Sequence, residues 1–112
     1  MRSSLILLLF LVQCTARAVY TGPVQPVVGT CDPIGVGTLT LRSHAVEFAP
    51  SAGVLVLTGT LGQNGAIHAE LVRPGSDKRP YRLTLQATLA AGQIEGDYVT
   101  PRCQYKVHLA SH

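Results

Sequence analysis

The stretch Tyr81-Arg82-Leu83-Thr84-Leu85-Gln86-Ala87-Thr88-Leu89 decides the fold. Apolar residues hold every odd position and polar residues every even position down to Thr88. A period of two belongs to a strand with one buried and one wetted face. Two further runs follow at once: Gln93-Ile94-Glu95-Gly96-Asp97-Tyr98-Val99 and Cys103-Gln104-Tyr105-Lys106-Val107-His108-Leu109. Three consecutive antiparallel strands are therefore predicted. Ala91-Gly92 suits a tight connection between the first two. Leu89 opposite Ile94 keeps both on one face, as register demands.

Upstream, the same pattern recurs. Leu57, Thr60 and Leu61 precede a Gly62-Gln63-Asn64-Gly65 turn much as Leu85, Thr88 and Leu89 precede Ala91-Gly92. After the turns, Ile67, Ala69, Leu71, Val72 and Pro74 match Ile94, Gly96, Tyr98, Val99 and Pro101. Such an echo suggests a meander of repeated hairpins. Residues 36–42 alternate Leu39 and Leu41 with Thr38 and Thr40, and 45–48 form a short further strand. Residues 54–61 are apolar on both faces in their first half, which predicts a strand that is central or covered on its second face. Beyond the amino-terminal leader, no apolar run at helical spacing is long enough for a helix.

The predicted fold is all-β, an antiparallel meander of six or seven strands in a single domain spanning 31–110. An open sheet of that size exposes two pairing edges, which closure removes. The prediction is a closed or nearly closed up-and-down barrel; a two-sheet sandwich is the alternative.

The 112-residue chain opens with a different kind of sequence. Arg2 precedes the apolar run Leu5-Ile6-Leu7-Leu8-Leu9-Phe10-Leu11-Val12, and Ala16-Arg17-Ala18 has the small-x-small form of a cleavage site. The run is too short to span a bilayer. Residues 1–18 read as a signal peptide. The formal charge of +3 includes Arg2 and Arg17, so cleavage leaves +1. That removes the charge argument for a nucleic-acid partner. Leu11-Val12-Gln13-Cys14 also outlines a lipobox, although Gln13 stands where a small residue is usual; lipidation at Cys14 is the route by which this reading reaches a membrane. Residues 19–30 hold Gly22, Pro23, Pro26 and Gly29, and predict an extended, weakly ordered lead-in.

Cleavage leaves Cys31 and Cys103. Two cysteines in a small exported domain argue for a disulfide. It would tie the segment before the first predicted strand to the start of the last, where a barrel seam would lie.

The remaining chemistry is sparse. Four histidines, His44, His68, His108 and His112, show no metal-ligand spacing. Glu70, Glu95 and Asp97 fall on the wetted face, where acid–base hydrolysis lacks the burial it needs. No serine sits in a nucleophile motif. No catalytic residue, metal site or cofactor is expected. Arg73, Lys78, Arg79 and Arg82 cluster around one loop, diluted by Asp77, and form a candidate partner-binding loop for an anionic group. Tyr81, Tyr98 and Tyr105 share the inward parity and either pack the core or line a pocket. The expected function is a secreted or periplasmic non-enzymatic binding module for a protein or a small apolar ligand. The alternatives are a lipid-anchored envelope accessory protein and a small hydrolase.

Overall fold

The computed structural model describes residues 17–31, 35–51, 55–75 and 79–111. The leucine-rich leader with Cys14 lies outside these, as do Asp32, Pro33, Asp77, Lys78 and His112. The chain folds as eight strands: β1 (Ala18–Gly29), β2 (Gly35–Arg42), β3 (Ala45–Ala49), β4 (Leu57–Leu61), β5 (Ala66–Pro74), β6 (Pro80–Ala90), β7 (Gln93–Val99) and β8 (Cys103–Ser111). Each pairs antiparallel with its sequence neighbour, and β1 pairs with β8 to close the barrel. No free edge is left among these strands.

The eighth strand comes from the segment expected to be a lead-in. Instead of lying outside the sheet, β1 is the closing strand. Its two prolines explain both the expectation and its failure. Proline lacks the N–H that a strand donates, so it suits positions paired on one side only. Pro23 pairs with Val36 of β2 and is skipped in the register with β8; Pro26 pairs with Tyr105 of β8, past the end of the β2 pairing at Val24. A register shift between Pro26 and Val28 absorbs the remaining irregularity.

The predicted register of Leu89 opposite Ile94 is present. In the echoed hairpin Leu61 stands opposite Ile67. The four-residue turn 62–65, with a 3-10 turn over Gln63–Gly65, and the two-residue turn 91–92 both end on a left-handed pair: Asn64 (φ 63°) and Gly65 (φ 77°) in one, Ala91 (φ 53°) and Gly92 (φ 75°) in the other. Paired left-handed residues match the twist of two antiparallel strands. Asn and Gly accept that region readily, whereas Ala91 does so at some strain.

Inward positions fill the lumen. Leu39, Val46, Phe48, Leu57, Leu85, Ile94, Tyr98, Val107 and Leu109 are buried there. Tyr98 stacks on Tyr105 with ring centroids 5.4 Å apart and meets Phe48 edge-on at 5.7 Å. Each echoed hairpin also carries one inward glycine opposite an inward alanine, Gly59 with Ala69 and Gly96 with Ala87. A Cβ at either glycine would strike the backbone of the facing strand. The paired backbones therefore approach each other at these two positions more closely than a side chain at either glycine permits.

Cys31 and Cys103 are bridged, with Cα atoms 5.1 Å apart. The bridge sits at the β1–β8 seam and is compatible with an oxidising compartment.

Candidate functional site

Alternate connections place the two ends of the barrel under different constraints. At one, the hairpin end, short turns follow β2, β4 and β6, and the Ser111 N–H donates to the Gly92 carbonyl at 3.1 Å. At the other, the disulfide end, longer segments follow β1, β3 and β5, and a short one follows β7. There Thr30 N–H donates to the Arg102 carbonyl at 3.0 Å, and Gly75 N–H to the Arg79 carbonyl at 3.0 Å. Thr100 Oγ1 accepts from the Cys103 N–H at 3.1 Å and orders the turn into β8.

The exposed apolar side chains are concentrated at the disulfide end. Among the described residues, the large hydrophobics that stand exposed are Val27, Val28, Val36, Val56, Val72, Tyr81 and Val99. Each lies within two residues of a strand terminus at that end. Val27, Val28 and Val36 are 59%, 60% and 61% exposed. Val99 and Val28 both neighbour Gln104, whose polar side chain separates them across the seam. The strand expected over 54–61, central or covered on its second face, begins only at Leu57 and pairs on both sides, with β3 and β5; Val56 just before it is exposed, and Val54 lies outside the described residues.

The candidate loop arginines occupy the same end. Arg73 stands opposite Tyr81, and Arg82 stands opposite Val72. Arg79 and Arg102 are exposed in the adjoining connections. Arg82 Nε lies 3.6 Å from Glu70 Oε1, an exposed pair of small energetic weight. Lys78 lies outside the described residues. Of the three candidate tyrosines, Tyr98 and Tyr105 are core residues packed beneath this end, whereas Tyr81 is exposed at its rim. Inward parity holds for Tyr81, but one residue from the strand start there is no facing wall to cover it. Burial, then Tyr105 and Tyr81 close by, push the Tyr98 hydroxyl up to about 12.

A concavity lies on the outer wall, over the Ala87–Gly96 pair. This groove of about 710 Å³ is bordered by Thr60, His68, Gln86, Thr88, Glu95 and Asp97. Cross-strand pairing makes His68 a neighbour of Gln86, and Gln86 a neighbour of Asp97. Asp97 is held by Lys106 at 3.2 Å, Glu95 lies 3.7 Å from His108, and His68 lies 3.9 Å from Glu70. The carboxylates remain wet: the Glu95 and Asp97 side chains are 66% and 41% exposed. Among the described residues, no group of three or more histidine, cysteine or acidic side chains is placed to hold a metal ion.

The arginines and tyrosines were visible as candidates in the sequence. The collar of exposed valines was not, because single valines at strand ends attract no notice until closure gathers them at one end. The outward parity of Val72 and Val99, at matched positions of the echo, was the available signal. No known protein family, curated protein or solved structure matches the chain.

Proposed function

We propose that this protein is an exported, non-enzymatic binding module, secreted or periplasmic, that meets its partner end-on through the disulfide end. The observation that carries this reading is the gathering of exposed apolar and arginine side chains at one end of the barrel. Apolar exposure set among charge is characteristic of interaction sites. Export is supported by the leader sequence and by the bridge between Cys31 and Cys103.

The test compares wild type with an Arg73→Gln, Arg82→Gln, Arg102→Gln variant, both recovered after export. The expected mass corresponds to a chain beginning at Val19, oxidised and free of lipid. Capture from an envelope or extracellular extract should weaken for the variant at unchanged stability. An unchanged captured set removes the disulfide end from the reading. A lipid-modified Cys14 would favour the anchored alternative.

One observation favours a hydrolase as a second reading, namely the convergence of His68, Glu95 and Asp97 on the outer groove. Hydrolytic carboxyl pairs work through one member shielded from water, and neither carboxylate is shielded here. Turnover of glycoside or ester probes that disappears in His68→Gln and Asp97→Asn would establish it over the binding reading.

A further inference from the structure

We propose that the partner of the disulfide end is the surface of an anionic lipid bilayer, into which the collar dips while the barrel stands outside. This rests on the end-on reading above and names its partner.

The first argument is the shape of the apolar surface. Val27 and Val28 belong to β1, Val36 to β2, Val72 to β5, Tyr81 to β6 and Val99 to β7, while Val56 directly precedes β4. Six of the eight strand ends thus contribute an exposed apolar residue, staggered along the axis: Val36 stands opposite Pro23, five positions from Val28. A deformable surface that receives the whole end meets them together, whereas a globular partner docking laterally meets only one arc.

The second argument is charge. In sequence, the strand ends and connections at this end carry Arg73, Lys78, Arg79, Arg82 and Arg102 against Asp32 and Asp77, with Glu70 lower on the wall beside Arg82. A cationic surplus set among apolar side chains fits lipid headgroups that are themselves anionic. Arginine keeps its guanidinium at headgroup level while its stem lies against apolar surface. Tyr81 at the rim suits the same boundary, where an aromatic ring is buried and its hydroxyl stays wet.

The third argument limits the depth. The barrel wall is polar outward, with Thr58, Thr60, His68, Gln86, Thr88, Glu95, Asp97, Lys106 and His108 facing away from an apolar lumen. A barrel that spans a membrane has the opposite arrangement, with an apolar outer band. Only the collar can enter lipid. This contact needs no acyl chain, whereas the sequence tied membrane contact to lipidation at Cys14. The geometry separates the two routes, because Ala18 opens β1 at the hairpin end. An acyl chain on Cys14 would attach to the end remote from the collar.

The experiment is vesicle flotation with the oxidised, exported protein, its leader absent by mass. Vesicles of phosphatidylcholine mixed with phosphatidylglycerol are compared with vesicles of phosphatidylcholine alone. The protein should float with the anionic vesicles, less at high salt, and stay behind with the neutral ones. Neutralising Arg73, Arg82 and Arg102 to glutamine should weaken binding on the order of a hundredfold. Val28→Ser, Val36→Ser and Val99→Ser together should abolish it while the denaturation midpoint holds, because these side chains are already exposed. Absence of wild-type flotation on anionic vesicles overturns the lipid proposal. If sedimentation then shows a dimer that the valine variant dissolves, or if extract capture still depends on the arginines, end-on binding survives with a second copy or a protein as partner. Variants indistinguishable from wild type in flotation, sedimentation and capture overturn both readings.

Discussion

The two ends of this barrel join the same strands under opposite demands. At the hairpin end, Ser43, Asn64, Gly65, Ala91 and Gly92 adopt positive φ, and the connections are as short as two residues. Such turns fix register and leave little surface to evolve. At the disulfide end, longer segments, prolines and a covalent bridge do the joining, and the exposed valines and arginines sit there. Register is set where the chain turns tightly; exposed apolar and basic side chains accumulate where a bridge does the joining.

The largest expected effect comes from cutting the bridge. Replacing both Cys31 and Cys103 by serine releases a constraint across 72 positions. In the chain-entropy description this destabilises by about 4 kcal/mol. The midpoint of chemical denaturation should fall accordingly. An unchanged midpoint would mean that packing alone holds the disulfide end, and the contrast between the ends would lose its basis.

A smaller effect probes the aromatic stack beneath that end. Tyr98 keeps its proton up to about pH 12 in the folded chain, against an ordinary value of 10.0. Below pH 10 both folded and unfolded states are protonated, and the contribution of Tyr98 is complete. As pH rises from about 10 to about 12, the unfolded chain loses the proton first and stability drops, on the order of 2–3 kcal/mol in total. A Tyr98→Phe variant, followed by denaturation across that window, should show a shallower decline. Equal slopes would place the alkaline sensitivity elsewhere.

The smallest effect sharpens the description of the hairpin end and has the opposite sign. Ala91 carries a left-handed backbone without the side chain best suited to it. Ala91→Asn recreates the Asn-Gly pair already present at Asn64 and Gly65, and should stabilise by roughly 1 kcal/mol. Thermal unfolding of the single variant is a sufficient measurement. A loss of stability would show that the two echoed turns are not equivalent.

The legible part of this molecule is the part governed by neighbours in sequence. Alternation over 81–109 announced three strands, and parity placed Leu85, Ile94, Tyr98 and Leu109 inside. Cys31 and Cys103, the two cysteines beyond the leucine-rich run, announced the bridge. Residues 19–30 were misread because proline speaks against a strand in general, and only the pairing partners show that Pro23 and Pro26 each sit where one side needs no donor. The groove was out of reach for a related reason. His68, Gln86 and Asp97 come together through three separate strands, over the Ala87–Gly96 pair, whose meaning depends on what lies opposite. Tyr81 shows the limit of parity itself: a rule about faces says nothing about where a face ends.

The pairing of β1 with β8 also constrains the order of events in the life of the chain. The hairpin of β6 and β7 needs only a two-residue turn and can form within microseconds. The seam joins β1 to β8, so the closed structure has to wait until synthesis reaches β8. Closure of this kind is slow, because a long loop must be brought together before any contact rewards it. Until then β1 waits with one flank unpaired, a template for any other extended chain nearby, and the arrival of β8 removes that hazard in a single step.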